Sequence, residues 1–171
     1  MHRTRFIALA CLAPLIWSGC SGSASRQTGT SAGTALPLQP GITDSLPRSP
    51  DPPSFFLDDL GPLRNPFERT SISLSSADEF RLRGWAADKE TARVAGGVEV
   101  VIDRKPFQIS YGDTRSDVAD FFKNPALRNS GFHASFPASA LGSGTHPVSL
   151  RVLSSDRKTY FQTTELTVSV R

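Results

Sequence analysis

The chain of 171 residues carries 19 basic and 16 acidic side chains, a formal net charge of +3, 38% hydrophobic residues and two cysteines. A near-balanced charge excludes the strong basic footprint that nucleic acid demands. The excess shrinks further because Arg3 and Arg5 stand in an N-terminal leader, whose removal leaves 17 basic against 16 acidic residues.

The leader is read first. Met1-His2-Arg3-Thr4-Arg5 is a short basic start, Phe6 to Trp17 is an apolar run, and Ser18-Gly19 places two small residues directly before Cys20. This is the order of a secretory signal peptide. The apolar run is shorter than the roughly 20 residues a spanning helix needs, and Pro14 would kink a helix there. A signal peptide over 1–19 is expected. The small pair before Cys20 resembles the lipobox of bacterial lipoproteins, with Trp17 standing where leucine is usual. The resemblance implies cleavage before Cys20 and lipidation of that residue. With no second cysteine beyond the leader, lipidation also gives a reason for a lone thiol. It places the protein in the cell envelope, on the periplasmic face of the outer or inner membrane or at the cell surface, held to the membrane by its N-terminal lipid.

Residues 20–66 read as a disordered tether. Ser21 to Thr34 is almost entirely Ser, Gly, Thr and Ala, and Pro37, Pro40, Pro47, Pro50, Pro52, Pro53, Pro62 and Pro66 follow. Such composition buries too little apolar surface to offset its ordering entropy. A coil estimate of about 5–6 Å × √n gives roughly 35–40 Å of mean reach. Phe55-Phe56-Leu57-Asp58-Asp59-Leu60 interrupts it, either as a segment docked on the edge of the following domain or as a peptide motif for a partner.

From about Thr70 the pattern changes. Ile72 and Leu74 alternate with serines, and Phe80 and Leu82 with Arg81 and Arg83. Val98, Val100 and Ile102 line one side of a run whose other side holds Glu99, Val101 and Asp103. Phe132, Ala134 and Phe136 follow, then Val148, Leu150 and Val152, then Leu166, Val168 and Val170. Repeated period-two alternation indicates antiparallel strands with one buried face each, and Phe107-Gln108-Ile109-Ser110-Tyr111 adds another. Glycine and proline clusters mark the turns. Six to eight short strands in roughly 100 residues indicate an all-β sandwich over 70–171, held by core packing without a disulfide. Thr114-Arg115-Ser116-Asp117 has the form of a capping box. A short helix is expected after it, burying Val118, Phe121 and Phe122 at one end of the sandwich and ending at Asn124-Pro125.

Gly84-Trp85-Ala86-Ala87-Asp88, then Tyr111 to Ala119, then Asn129-Ser130-Gly131-Phe132, with Gly144 to Leu150 as a late hairpin, form an ordered set. It resembles the immunoglobulin-like accessory β-sandwich modules of bacterial cell-surface proteins and membrane-bound glycosyltransferases. Two positions depart from that pattern: Ser116 replaces a proline at the helix start, and Arg104-Lys105 replaces a glycine-containing turn. The resemblance implies architecture and location, and it carries no catalytic residues to transfer.

The candidates for chemistry are few. Zinc needs three or four suitably spaced ligands, and His133 and His146 lack cysteine or paired-histidine company. Neither a metal nor a cofactor is expected. No serine sits in a nucleophile elbow, and Asp113, Asp117 and Asp120 are expected to cap and complement the helix start. Among the aromatics, Trp85 is expected in the core, as is common in sandwiches. Tyr111 and Tyr160 flank loops and, with Arg115 and Arg128, form the expected binding surface. The expected function is a non-enzymatic binding or scaffolding module with an envelope protein or glycan partner and no nucleic-acid partner. The alternatives are a carbohydrate-binding module for envelope glycan and, third, an envelope hydrolase.

Overall fold

In the computed structural model, which describes residues 36–66 and 69–171, the period-two runs become two facing sheets. In chain order the strands are β1 (Gln39–Pro40), β2 (Ser54–Leu60), β3 (Leu63–Arg64), β4 (Ser71–Leu74), β5 (Glu79–Asp88), β6 (Arg93–Val94), β7 (Gly97–Ile102), β8 (Lys105–Gln108) and β9 (Ser110–Asp113). The helix α1 (Ser116–Phe121) follows, then β10 (Gly131–Pro137), β11 (Gly144–Leu153), β12 (Tyr160–Gln162) and β13 (Leu166–Val170). Sheet A runs β1-β8-β7-β11-β13-β4, with β12 also on β11. Sheet B runs β3-β2-β5-β10-β9, with β6 also on β5. The expected all-β sandwich with one short helix is therefore observed. Pairing between these strands is antiparallel except for β13 with β4, where Val168 lies beside Ile72 in parallel register, and an isolated parallel bridge joins Arg48 to Tyr160.

The core lies between the sheets. Sheet B contributes Phe80, Leu82, Ala86, Phe132 and Phe136, with the Phe80 and Phe136 rings stacked at 4.7 Å. Sheet A faces them with Val98, Val100, Ile102, Val148, Leu150, Val152 and Val168. Gly84 is required by a close approach: a Cβ there would lie 2.2 Å from the Phe56 carbonyl oxygen and 2.6 Å from the Phe132 ring. The hairpin between β7 and β8 closes without glycine. Asp103 and Arg104 take left-handed φ values of 50° and 67°, the conformation of a two-residue type I′ loop. The run from Phe107 to Tyr111 is two strands, because the chain leaves sheet A after Gln108 and joins β10 in sheet B from Ser110.

The segment 36–66, expected as spacer, is built into the sandwich. β1 pairs with β8, placing Gln39 opposite Gln108, and β2 pairs along β5 from Ser54 opposite Ala87 to Leu60 opposite Leu82. Proline-rich composition did not prevent this, because Phe55, Leu57 and Leu60 give β2 an apolar inner face and, apart from Pro40 at the end of β1, the prolines fall between the strands. The signal peptide, Cys20 and the first part of the tether lie outside the described residues.

Residues 36–49 also change the character of sheet A. The run from Val98 to Ile102 carries Glu99 on what should be a solvent face, yet Glu99 is only 2% exposed. Its Oε1 accepts from Ile42 N at 2.6 Å and its Oε2 from Thr43 Oγ1 at 2.5 Å. Arg151 Nη1 donates to Thr43 Oγ1 at 2.9 Å and to Asp44 Oδ1 at 2.6 Å. A buried carboxylate is tolerable only when hydrogen-bonded in this way.

Replacing Gly84 by alanine is expected to cost about 1–3 kcal/mol, the usual penalty for forcing extra volume into packed structure. Urea unfolding measures it, and the loss should concentrate on β2, whose backbone the new methyl would displace.

Candidate functional site

The outer face of sheet B is unlike that of sheet A. Along β5 the side chains alternate: Leu82 and Ala86 enter the main core, while Trp85 and Ala87 form a second cluster with Val118 and Leu127. The small Ala87 lets α1 lie close against this outer face. The helix therefore packs over sheet B rather than plugging the end of the sandwich. Trp85 is a half-buried outer-face residue, not a core ring. Of the three residues expected to form the buried helix face, only Val118 does so. Phe121 is 79% exposed and Phe122 42%. The capping box does not form either. The helix N-cap is Arg115, with no side-chain capping bond. The helix ends before the expected Asn124-Pro125: Phe122 is its C-cap and Lys123 turns to a left-handed φ of 50°, while Asn124 is extended and caps the following turn at Pro125–Leu127 through Ala126 N.

Arg115 holds this region together. Its Nη1 donates to Asp58 Oδ2 at 2.7 Å, and its Nε and Nη2 grip Asp117 at 2.9 and 2.7 Å. The guanidinium keeps the Asp117 carboxyl below the ordinary carboxylate range, chiefly by hydrogen bonding, and its own pKa is raised for the same reason. Asp58 is the extra residue of a bulge in β2, where the register against β5 shifts between Leu57 and Asp59. A hollow of about 680 Å³ opens here, lined by Asp58, Arg83, Asp113, Arg115, Asp117 and His133. Its charges are paired among themselves or with neighbours: His133 Nδ1 lies 2.5 Å from Asp113 Oδ2, and Arg83 Nε lies 3.5 Å from Asp59.

Beside the hollow runs a chain of rings. Phe56, 40% exposed, is the cross-strand partner of Trp85. Trp85 meets Phe122 at 5.4 Å and 70°, and Phe122 meets Phe121 at 5.0 Å and 84°. Among the described residues, neither Lys123 nor Arg128 forms an ion pair, and Asp120 is an acid near them that is also unpaired.

The four residues expected to form a binding surface are dispersed. Tyr111 is half-buried, with its hydroxyl accepting from Ala95 N and donating to Ala86 O, both at 2.8 Å. Burial pushes its pKa up to about 12. Tyr160 lies in sheet A with Arg151 stacked 4.7 Å over its ring. Arg115 and Arg128 are neighbours through the backbone, Arg115 N donating to Arg128 O at 2.6 Å. The structure thus joins the two arginines at the helix and leaves the tyrosines elsewhere. Spacing put Phe121 and Phe122 on the buried helix face with Val118, although a signal of exposed rings was present. Two consecutive aromatics on a helix point about 100° apart, and Phe55 and Phe56 on a strand point to opposite faces.

His133 and Asp113 form a dyad in the hollow, but among the described residues no hydroxyl hydrogen-bonds the His133 ring, as a nucleophilic triad requires. Asp117 is shifted downward, opposite to what a general acid for glycoside cleavage needs. His146 is buried, its two ring nitrogens engaged by Asp103 at 2.9 Å and the Gly142 carbonyl at 3.2 Å. Among the described residues no group of three or more His, Cys, Asp or Glu side chains is gathered to hold a metal.

No protein-family model matches the chain, and no curated protein matches it. Among solved structures it is similar to the X-ray structure of the endo-β-1,4-mannanase from Thermotoga petrophila, with 9% identity and a TM-score of 0.44. The similarity covers 72% of this chain and 20% of that one, so the chain spans about one fifth of the mannanase's length.

Two outcomes are expected. Phe121→Ser should leave stability within about 0.5 kcal/mol of the parent, as an exposed position should, whereas Tyr111→Phe should lower it by about 1–3 kcal/mol by orphaning the Ala95 amide. The second effect depends on pH. The folded-state pKa of Tyr111 is raised above the unfolded value near 10, so its contribution is complete below pH 10 and is lost as pH rises toward 12. Urea midpoints of parent and Tyr111→Phe should therefore converge across that window.

Proposed function

We propose that this protein is an envelope lipoprotein, lipidated at Cys20, whose β-sandwich is a non-catalytic docking module that binds a protein partner through the outer face of sheet B. The observation carrying this reading is the row Phe56, Trp85, Phe122 and Phe121, an apolar ridge left exposed beside a hollow whose charges are already paired. Exposed aromatic rings are the side chains interfaces use as anchors, and large exposed apolar patches mark interaction sites. The unpaired Lys123 and Arg128, against the single unpaired Asp120, suit an acidic rim on that partner. The leader ending in Ser18-Gly19-Cys20 supports the lipid anchor and the envelope location. Among the described residues no helix is long and apolar enough to cross a membrane. Envelope glycan is the less supported partner: successive rings here stand 70° and 84° apart, which makes a ridge rather than a flat platform for a sugar face.

A photocrosslinking residue in place of Phe121, in the full-length chain in its native envelope, should yield a discrete protein adduct. Phe122→Ser should weaken that adduct at least tenfold, in keeping with an interface anchor. The same probe at Thr145, on sheet A, should give none. Equal labelling from both faces would sink the assignment. Absence of a protein adduct together with retention on envelope glycan that Phe121→Ser abolishes would transfer the site to the carbohydrate reading. Cys20→Ala should move the protein from the membrane fraction to the soluble fraction, and persistence in the membrane would remove lipidation as the anchor.

A further inference from the structure

The segment that enters the sandwich first is held largely by polar contacts. Leu36 and Leu38 are only partly buried against the core, Gln39 and Pro40 are exposed, and Ile42 is 49% exposed. The rest of its attachment is polar. Gly41 N donates to Pro106 O at 2.8 Å, and Gln108 Nε2 to Pro40 O at 2.8 Å. Ile42 N and Thr43 Oγ1 bond Glu99, and Thr43 and Asp44 receive Arg151. Beyond these, Tyr160 N donates to Pro47 O at 3.1 Å and Ser49 N to Tyr160 O at 2.7 Å.

The face beneath is mostly polar, with Val101, 3% exposed, as its apolar member. Glu99 and Arg151 are direct cross-strand partners on β7 and β11, as are Val101 and Ser149. Gln162 adjoins them, bonding both Ser149 and Arg151. Three of the four outward positions in these two pairs are polar. With residues 36–49 lifted away, Glu99 and Arg151 face each other as an ordinary solvated cross-strand pair, so neither charge is stranded. Lifting forfeits hydrogen bonds that water replaces and little apolar burial, whereas separating the two sheets would expose the whole core.

We infer that residues 36–49 are a releasable strap, closed over the outer face of sheet A by the Glu99–Thr43–Arg151 network, that opens while the sandwich stays folded. The strap lies between Cys20 and the domain, so its opening adds up to roughly 45 Å of extended chain at about 3.3 Å per residue. It also uncovers the Glu99 and Arg151 row. The consequence for reach rests on the lipid-anchor reading, whereas the strap itself does not.

Amide hydrogen exchange of the full-length chain purified in detergent tests it. The amides of Gly41, Ile42, Ser49 and Tyr160 should exchange as one group, about tenfold or more faster than those of Val100 and Leu150. Glu99→Gln should accelerate that group by a further tenfold or so, the weight of a charged hydrogen bond, and leave Val100 and Leu150 unchanged. Asp44→Ala keeps the test open if Glu99→Gln does not fold, because the Asp44 side chain is 67% exposed. It should accelerate the strap group about threefold, in line with a surface ion pair. Exchange of the strap at the rate of Val100 and Leu150, or equal acceleration of both groups in a variant, would show a permanent part of the core and overturn the proposal. The experiment needs no membrane, so its failure is separable from that of the lipid anchor, which Cys20→Ala reads.

Discussion

The register of β2 on β5 is the constraint from which the exposed face of sheet B follows. Leu57 and Leu60 are three residues apart, a spacing that would send them to opposite faces of a regular strand, yet both are buried. The bulge at Asp58 resolves the conflict by inserting one unpaired residue. Phe56 then faces outward beside Trp85, and the displaced Asp58 receives the Arg115 guanidinium. Arg115 in turn grips Asp117 in the first turn of α1, so the helix is tied to the sheet by the same residue that secures the bulge. The aromatic ridge is assembled from two strands, β2 and β5, and the end of α1, with Arg115 tying the helix to β2.

The two outer faces illustrate two ways of treating a polar sheet surface. On sheet B the charges are left in the open and paired locally, as between Glu79 and Arg81 at 2.7 Å. On sheet A the strap covers Glu99 and Arg151, and each buried polar group must then find a partner. Gly41 is part of that arrangement, since a Cβ there would fall 2.6 Å from Glu99 Oε2. The exposed pairs contribute little individually. The covered network couples residues more than fifty positions apart and gives the N-terminal segment a defined place.

The sandwich was legible in the sequence because burial of one strand face imposes period two on any strand, whatever its neighbours. Ile72 to Leu74, Phe80 to Leu82, Phe132 to Phe136 and Leu166 to Val170 all keep that alternation. The segment before Thr70 was not legible as structure, because composition reports average solubility while strand pairing depends on a few apolar positions, here Phe55, Leu57 and Leu60. The candidate site was less legible still. Val118, Phe121 and Phe122 share a helix face by spacing, but how much of that face is covered depends on where the helix lies, and sheet B covers only Val118. The loop tyrosines were reasonable surface candidates by placement, yet the Tyr111 hydroxyl is consumed by two backbone groups that only the fold brings within reach.

By itself the sequence determined an all-β sandwich and the positions of most of its strands. These are properties of local pattern, and local pattern is set by whether each side chain faces water or core. The tertiary structure alone decided that residues 36–66 join the sheets, that Glu99 is interior, that α1 lies on the outer face of sheet B, and that Phe121 and Phe122 remain exposed. Each of those depends on contacts between residues far apart in the chain, such as Thr43 with Glu99 and Asp58 with Arg115, and no local periodicity encodes which distant partner will complete a buried charge or cover an apolar ring.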